Sequence, residues 1–178
     1  MGYAHSLSRP LRLDADLFSQ WSADCRWIVA YARTLGVKLA GPDGSGRPVT
    51  SMTQVLFNGR ERCRHQRAQR LDPAANRPRW CGGRCAHDSF TVELEYDPYS
   101  LWERSRDGSF LDRFTTAHKP YDVAVTACLL MLSHRFGPTI SVTSDGGASQ
   151  WHDGRHLALL ACGVFPPLPG SLRRASAA

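Results

Sequence analysis

Phe90, Val92, Leu94 and Tyr96 alternate with Ser89, Thr91, Glu93 and Glu95. That two-residue period predicts a half-buried strand over 88–96. A different period governs residues 14–36. There Leu17, Phe18, Trp21, Cys25, Ile28, Val29, Ala32 and Leu35 fall on one stripe of a helix, with Asp14 as N-cap and Gly36 as stop. From Pro120 to about Phe136 the chain is apolar on nearly every side, which predicts a central, buried helix. Proline is tolerated in its first turn, and Asp122 suits the positive end of its dipole. A third helix is expected over 149–165, weakened by Gly154. Short strands bounded by Gly and Pro are expected at 3–8, at 37–48 running into a Gly-rich turn, and at 52–59, 110–117 and 139–144. The stretch 97–109 reads as a loop or short helical turn.

The element order is β-α-β-β-(insert)-β-β-α-β-α. Strands in hairpin-like runs, rather than alternating βαβ units, predict an α+β fold: a mainly antiparallel sheet of about five to six strands with three helices on one face. We expect one domain over residues 1–165, an inserted segment at 60–87, and a disordered tail at 166–178.

A chain of 178 residues can bury a core of its own. The longest apolar run, 123–132, is half the length of a membrane span, so no membrane association is expected. The first residues carry no apolar signal region. The expected compartment is the cytoplasm, where six cysteines favour thiols or metal over disulfides. Cys25 and Cys128 sit on apolar helix faces and read as core residues.

Charge changes the picture once it is located. Residues 60–84 carry eight arginines against Glu61 and Asp72, which accounts for the whole net charge of +6. The same segment holds the pattern Cys63-x-His65, fifteen residues, Cys81-x3-Cys85, then x-His87. Zinc needs three or four soft or borderline ligands converging tetrahedrally, and two short-spaced pairs separated by a loop can supply them. The expected ligands are Cys63, His65, Cys81 and Cys85. His87, which opens a strand on its polar face, is the one left out. Two other readings stay open at this point: a plain loop, or a redox-active Cys81/Cys85 pair whose thiol pKa values neighbouring arginines would lower.

Several pieces outside the insert are distinctive: MGYAH at the start, FNG and HDSF at mid-chain, AHKPYDVAV at a helix start, and SVTSDGGASQWHDGR. Together they resemble a family of small bacterial and phage proteins that supplies no activity to carry over. Its members pass from the FNG strand to the HDSF strand through a shorter link, so the resemblance implies that the Cys/His/Arg segment is an addition to a core that folds without it.

The SDGG turn at 144–147, with Ser149 as a helix cap, could cradle an anion on exposed N–H groups or be a plain turn. No G-x-S-x-G, H-E-x-x-H or paired-carboxylate motif is present. The expected function is therefore a binding or accessory protein whose zinc-pinned, arginine-rich loop engages nucleic acid or another polyanion. Arg60, Arg62, Arg64, Arg67, Arg70 and Arg84 would meet phosphates, and Trp80 would stack on an unpaired base. The alternatives are an enzyme on a small anionic substrate using Asp122, Asp145 and His152, and a phage or mobile-element accessory protein that binds a host protein.

Overall fold

The computed structural model describes residues 3–63, 81–96 and 108–174. Residues 97–107 of the loop expected at 97–109, and residues 64–80 of the insert, lie outside them. In chain order the elements are β1 (Ala4–Arg9), α1 (Ala15–Thr34), β2 (Leu39–Ala40), β3 (Val49–Thr50), β4 (Gln54–Gly59), β5 (Phe90–Glu93), β6 (Phe110–Thr115), α2 (Asp122–Phe136), β7 (Ser141–Ser144), α3 (His152–Cys162) and α4 (Gly170–Arg174). A short 3-10 turn, Ala148–Trp151, leads into α3.

The class is α+β, and every strand pair among the described residues is antiparallel. Among the described residues seven strands form two sheets, where about five to six in one sheet were expected. β1 is the centre of the first, with β6 on one edge and β7 on the other. Both edges being taken, β2 to β5 cannot join it. They gather instead around β4, which pairs with β2, β3 and β5. The chain before α1 stitches the two together: Leu13 N–H donates to Leu94 O at 2.9 Å, and Tyr96 N–H donates to Leu11 O at 2.8 Å. Phe57, Phe90 and Phe114 continue the link as a run of tilted rings about 5 Å apart.

α2 is buried along most of its length, as its all-round apolarity predicts, and α1 and α3 pack against it. The α1 stripe meets it through Trp21, whose indole N–H donates to Cys128 O at 2.9 Å. Asp14 caps α1 by accepting from Leu17 N–H at 2.9 Å. Cys25 and Cys128 are fully buried.

Two expectations are revised. Gly154 is not a weak point of α3. A Cβ there would sit 2.4 Å from Thr126 Oγ1 and 2.9 Å from Ala127 N, so the missing side chain is what lets α3 lie directly on α2. The stretch 166–178, expected as a tail, carries α4. Leu172 is 2% exposed, and Ser171 Oγ donates to Val142 O at 2.9 Å on β7. Leu172 and the Ser171 bond to β7 anchor so short a helix, a signal too small to read in a Pro- and Ser-rich segment.

Candidate metal centre

The centre is built at the end of β4. Asn58 is buried there and acts as a clamp. Its side-chain amide donates to Pro42 O at 2.8 Å and His87 O at 2.7 Å, and its Oδ1 accepts from Gly59 and His87 N–H. Gly59 follows, and a Cβ on it would lie 2.0 Å from Cys85 O and 2.4 Å from Cys85 C. Only glycine allows the two segments so close. Past Gly59 two backbone bonds hold 60–63 against 83–85: Cys85 N–H to Arg60 O and Cys63 N–H to Gly83 O, both 3.0 Å.

Residues 81–85 form a tight turn, closed by Arg84 N–H to Cys81 O at 3.0 Å. Gly82 at φ 58° and Gly83 at φ 87° adopt the left-handed backbone that side chains disfavour. The turn aims Gly83 N–H at Cys81 Sγ, 3.4 Å away. Lys119, just ahead of α2, donates to Cys81 O at 3.0 Å and ties the turn to the core.

The result brings three sulfurs together. Cys63 Sγ lies 3.5 Å from Cys81 Sγ and 3.4 Å from Cys85 Sγ, and all three fall within 4.8 Å of one another. Cys81 and Cys85 are buried and Cys63 is half-buried. All six cysteines of the chain are free thiols. Four ligands at a zinc–sulfur distance of ~2.3 Å would stand ~3.8 Å apart in a tetrahedron. The observed spacings are close to that, so Cys63, Cys81 and Cys85 could hold a metal ion. Burial, then the neighbouring Cys63 and Cys81, push the Cys85 thiol well above its ordinary pKa. That direction opposes the redox reading, which needs a thiol made more acidic. A cation among the sulfurs acts in the opposite sense, since it binds the deprotonated form.

The remaining expected residues divide. His65, Arg64, Arg67, Arg70 and Trp80 lie outside the described residues. His87 stands apart from the sulfurs, partly exposed, with Nδ1 3.3 Å from Asp88. Arg84 pairs with Glu61 at 2.9 Å on the surface, a contact worth little by itself. Arg60 and Arg62 are exposed.

Asp122, Asp145 and His152 do not form a comparable group. Among the described residues the cysteines are the only set of three or more such ligand types within 4.8 Å. Asp122 is 1% exposed and Asp145 lies on the surface, 3.6 Å from Arg113. Nor is the SDGG turn an open anion cradle. Its amides are already used, with Asp145 N–H on Ala4 O, Gly146 N–H on Ser144 Oγ and Gly147 N–H on Gln150 Oε1. The cap of the following turn is Gly147, not Ser149.

One polar cluster escaped the sequence reading. His5, fully buried on β1, places Nε2 2.7 Å from Asp122 Oδ1 and Nδ1 3.0 Å from Ser144 Oγ. Thr116 Oγ1 also donates to Asp122 Oδ1, at 2.7 Å. Tyr3 and Trp151 stand edge-on to the His5 ring. The network welds β1, β7 and the start of α2. The available signal was the inward parity of β1, where His5, Leu7 and Arg9 are all buried.

No family model matches this chain, and no characterised protein or solved structure does either.

Proposed function

We propose that Cys63, Cys81 and Cys85, with His65 as fourth ligand, hold a zinc ion that pins an arginine-rich segment for binding nucleic acid or another polyanion. The observation that carries this reading is the meeting of three thiols from two chain segments, with Cys63 Sγ 3.5 Å from Cys81 Sγ and 3.4 Å from Cys85 Sγ. Thiolates are soft ligands, which favours zinc over the hard cations that prefer oxygen. Charge supports the second half: eight arginines in residues 60–84 account for the entire net charge. A segment with so little apolar surface needs a cross-link to hold its cations in one arrangement.

Metal analysis of protein purified without a histidine tag tests the first half. The expected result is about one zinc per chain, lost in Cys81→Ser and retained in Cys25→Ser. Metal-free protein with all six thiols freely titratable overturns it. Salt titration of DNA binding tests the second. With about half the arginines on phosphates, the log–log slope is on the order of −3 to −4 for duplex DNA. Replacing Arg64, Arg67 and Arg70 together reduces that slope by up to ~3 and weakens all sequences alike. Trp80→Ala weakens single-strand binding more than duplex binding if the ring stacks on a base. No binding at low salt with zinc present removes the polyanion reading.

A further inference from the structure

A cleft of about 540 Å³ opens at the turn after β2, and Arg33, Arg47, Arg60 and Arg62 line it. Arg33 stands in the last turn of α1, Arg47 leaves the Gly-rich turn after β2, and Arg60 and Arg62 lead from β4 to Cys63. None of the four makes an ion pair or side-chain hydrogen bond with a described residue. By contrast Arg9, Arg12, Arg84, Arg113, Arg135 and Arg155 all find partners. Of the two acids in the cleft, Asp43 and Glu61, the second is already held by Arg84. Four guanidinium groups against the one remaining carboxylate, Asp43, leave the cavity positively charged, and a multiply charged anion relieves their repulsion.

We infer that this cleft is a binding site for a ligand carrying more than one phosphate. The volume falls in the range of sites for nucleotide-sized ligands, and guanidinium forks match phosphate oxygens two at a time. At Gly46 nothing lies within 4 Å of where a side chain would begin, so a ligand can reach the turn's backbone. The phosphates could come from a nucleic-acid strand or from a free di- or triphosphate. The strand source rests on the polyanion reading above; the cleft itself does not.

The walls differ in what holds them. Arg33 and Arg47 belong to the core. Arg60 and Arg62 belong to the segment between β4 and Cys63, which Cys85 N–H to Arg60 O and Cys63 N–H to Gly83 O hold against the cysteine turn. Glu61 N–H donates to Gly44 O at 2.9 Å and joins the two halves. A metal held by the cysteines would therefore brace one wall and not the other.

The test uses the full chain and the double variant Arg33→Gln/Arg47→Gln. Both positions are exposed, outside the cysteine turn, and thermal unfolding checks that the fold is kept. Pyrophosphate and a labelled single-stranded oligonucleotide are titrated at low salt. We expect pyrophosphate affinity to fall at least tenfold in the double variant, and the oligonucleotide's log–log salt slope to shrink by about 1.4 for two lost phosphate contacts. Pyrophosphate binding that depends on Arg33 and Arg47, without oligonucleotide binding, keeps the cleft, assigns it to a free polyphosphate and sinks the nucleic-acid reading. Oligonucleotide binding indifferent to the variant, with no pyrophosphate binding, overturns the cleft and leaves that reading standing. Loss of both ligands in wild type overturns both.

Discussion

Gly59→Ala separates the metal centre from the core. Its Cβ would arrive 2.0 Å from Cys85 O, where ordinary contact begins near 3.4 Å. The Cys85 segment must retreat by roughly the difference, about 1.4 Å, or β4 must bend by as much. A retreat of that size carries Cys85 N–H off Arg60 O, now 3.0 Å away, and forfeits a bond worth about 1 kcal/mol. It also moves Cys85 Sγ by far more than the ~0.2 Å tolerance of a metal–ligand distance. Metal affinity should fall by one to two orders of magnitude, about 1.4–2.8 kcal/mol. The overpacking costs the fold about 1–3 kcal/mol, which in a chain of this size lowers Tm by roughly 2–4 °C per kcal/mol. Competition with a chromophoric chelator measures the first quantity and calorimetry on metal-free protein the second. An alanine variant that keeps both wild-type metal affinity and wild-type Tm would show that the two segments do not approach as described, and the candidate centre would lose its foundation.

Gly154→Ala tests the contact between α2 and α3 by sign. In an exposed helix the change gains up to about 1 kcal/mol, but against Thr126 Oγ1 at 2.4 Å it should cost about 1–3 kcal/mol; urea denaturation showing a gain refutes the close packing. Asp122→Leu strands the buried His5 ring and the Thr116 hydroxyl, and should destabilise by about 1–3 kcal/mol for each group left unsatisfied. His5→Leu added to it should return part of that loss, whereas simple additivity in the double-mutant cycle argues against the pair. Alkaline pH should destabilise metal-free protein. Burial holds the Cys162 thiol up to about 12, and Cys25 is raised by the same cause, while unfolded thiols ionise near pH ~8.5. Above that value the unfolded state binds fewer protons, so stability present below it falls as pH rises towards 12. A Cys162→Ser variant should lose less between pH 8.5 and 11 (about that window), and equal losses in equilibrium unfolding would contradict the assignment.

What could be read from the chain follows from the range of the forces involved. The α1 stripe, the α2 apolar run and the 88–96 alternation are local periodicities, so each announces its own burial, and Asp14 announces its cap three residues ahead of Leu17. The split into two sheets depends on which strand takes β1's two edges, and both partners come from the second half of the chain. His5 and Arg9 show the limit most clearly. They occupy inward positions that a strand normally gives to apolar side chains, and their acids, Asp122 and Asp112, lie 117 and 103 residues away. No local pattern states that a buried polar group will be met from such a distance.

The functional region mixes the two situations. Cysteines at short spacing are legible as ligand types, and the Gly82-Gly83 pair between two of them is legible as a turn. The reason the cysteines converge is not, because it lies in Gly59 and Asn58 at the end of a strand that reads as ordinary sheet. The arginine cleft lies further still from view. A count along the chain assigns the positive charge to one segment, yet two of the cleft's four arginines, Arg33 and Arg47, come from the otherwise neutral part. Charge becomes a site only where the fold brings cations together faster than it brings acids to meet them. Here the end of α1, the turn after β2 and the segment after β4 bring four arginines and two acids to one cleft, with Glu61 N–H on Gly44 O joining the turn to that segment.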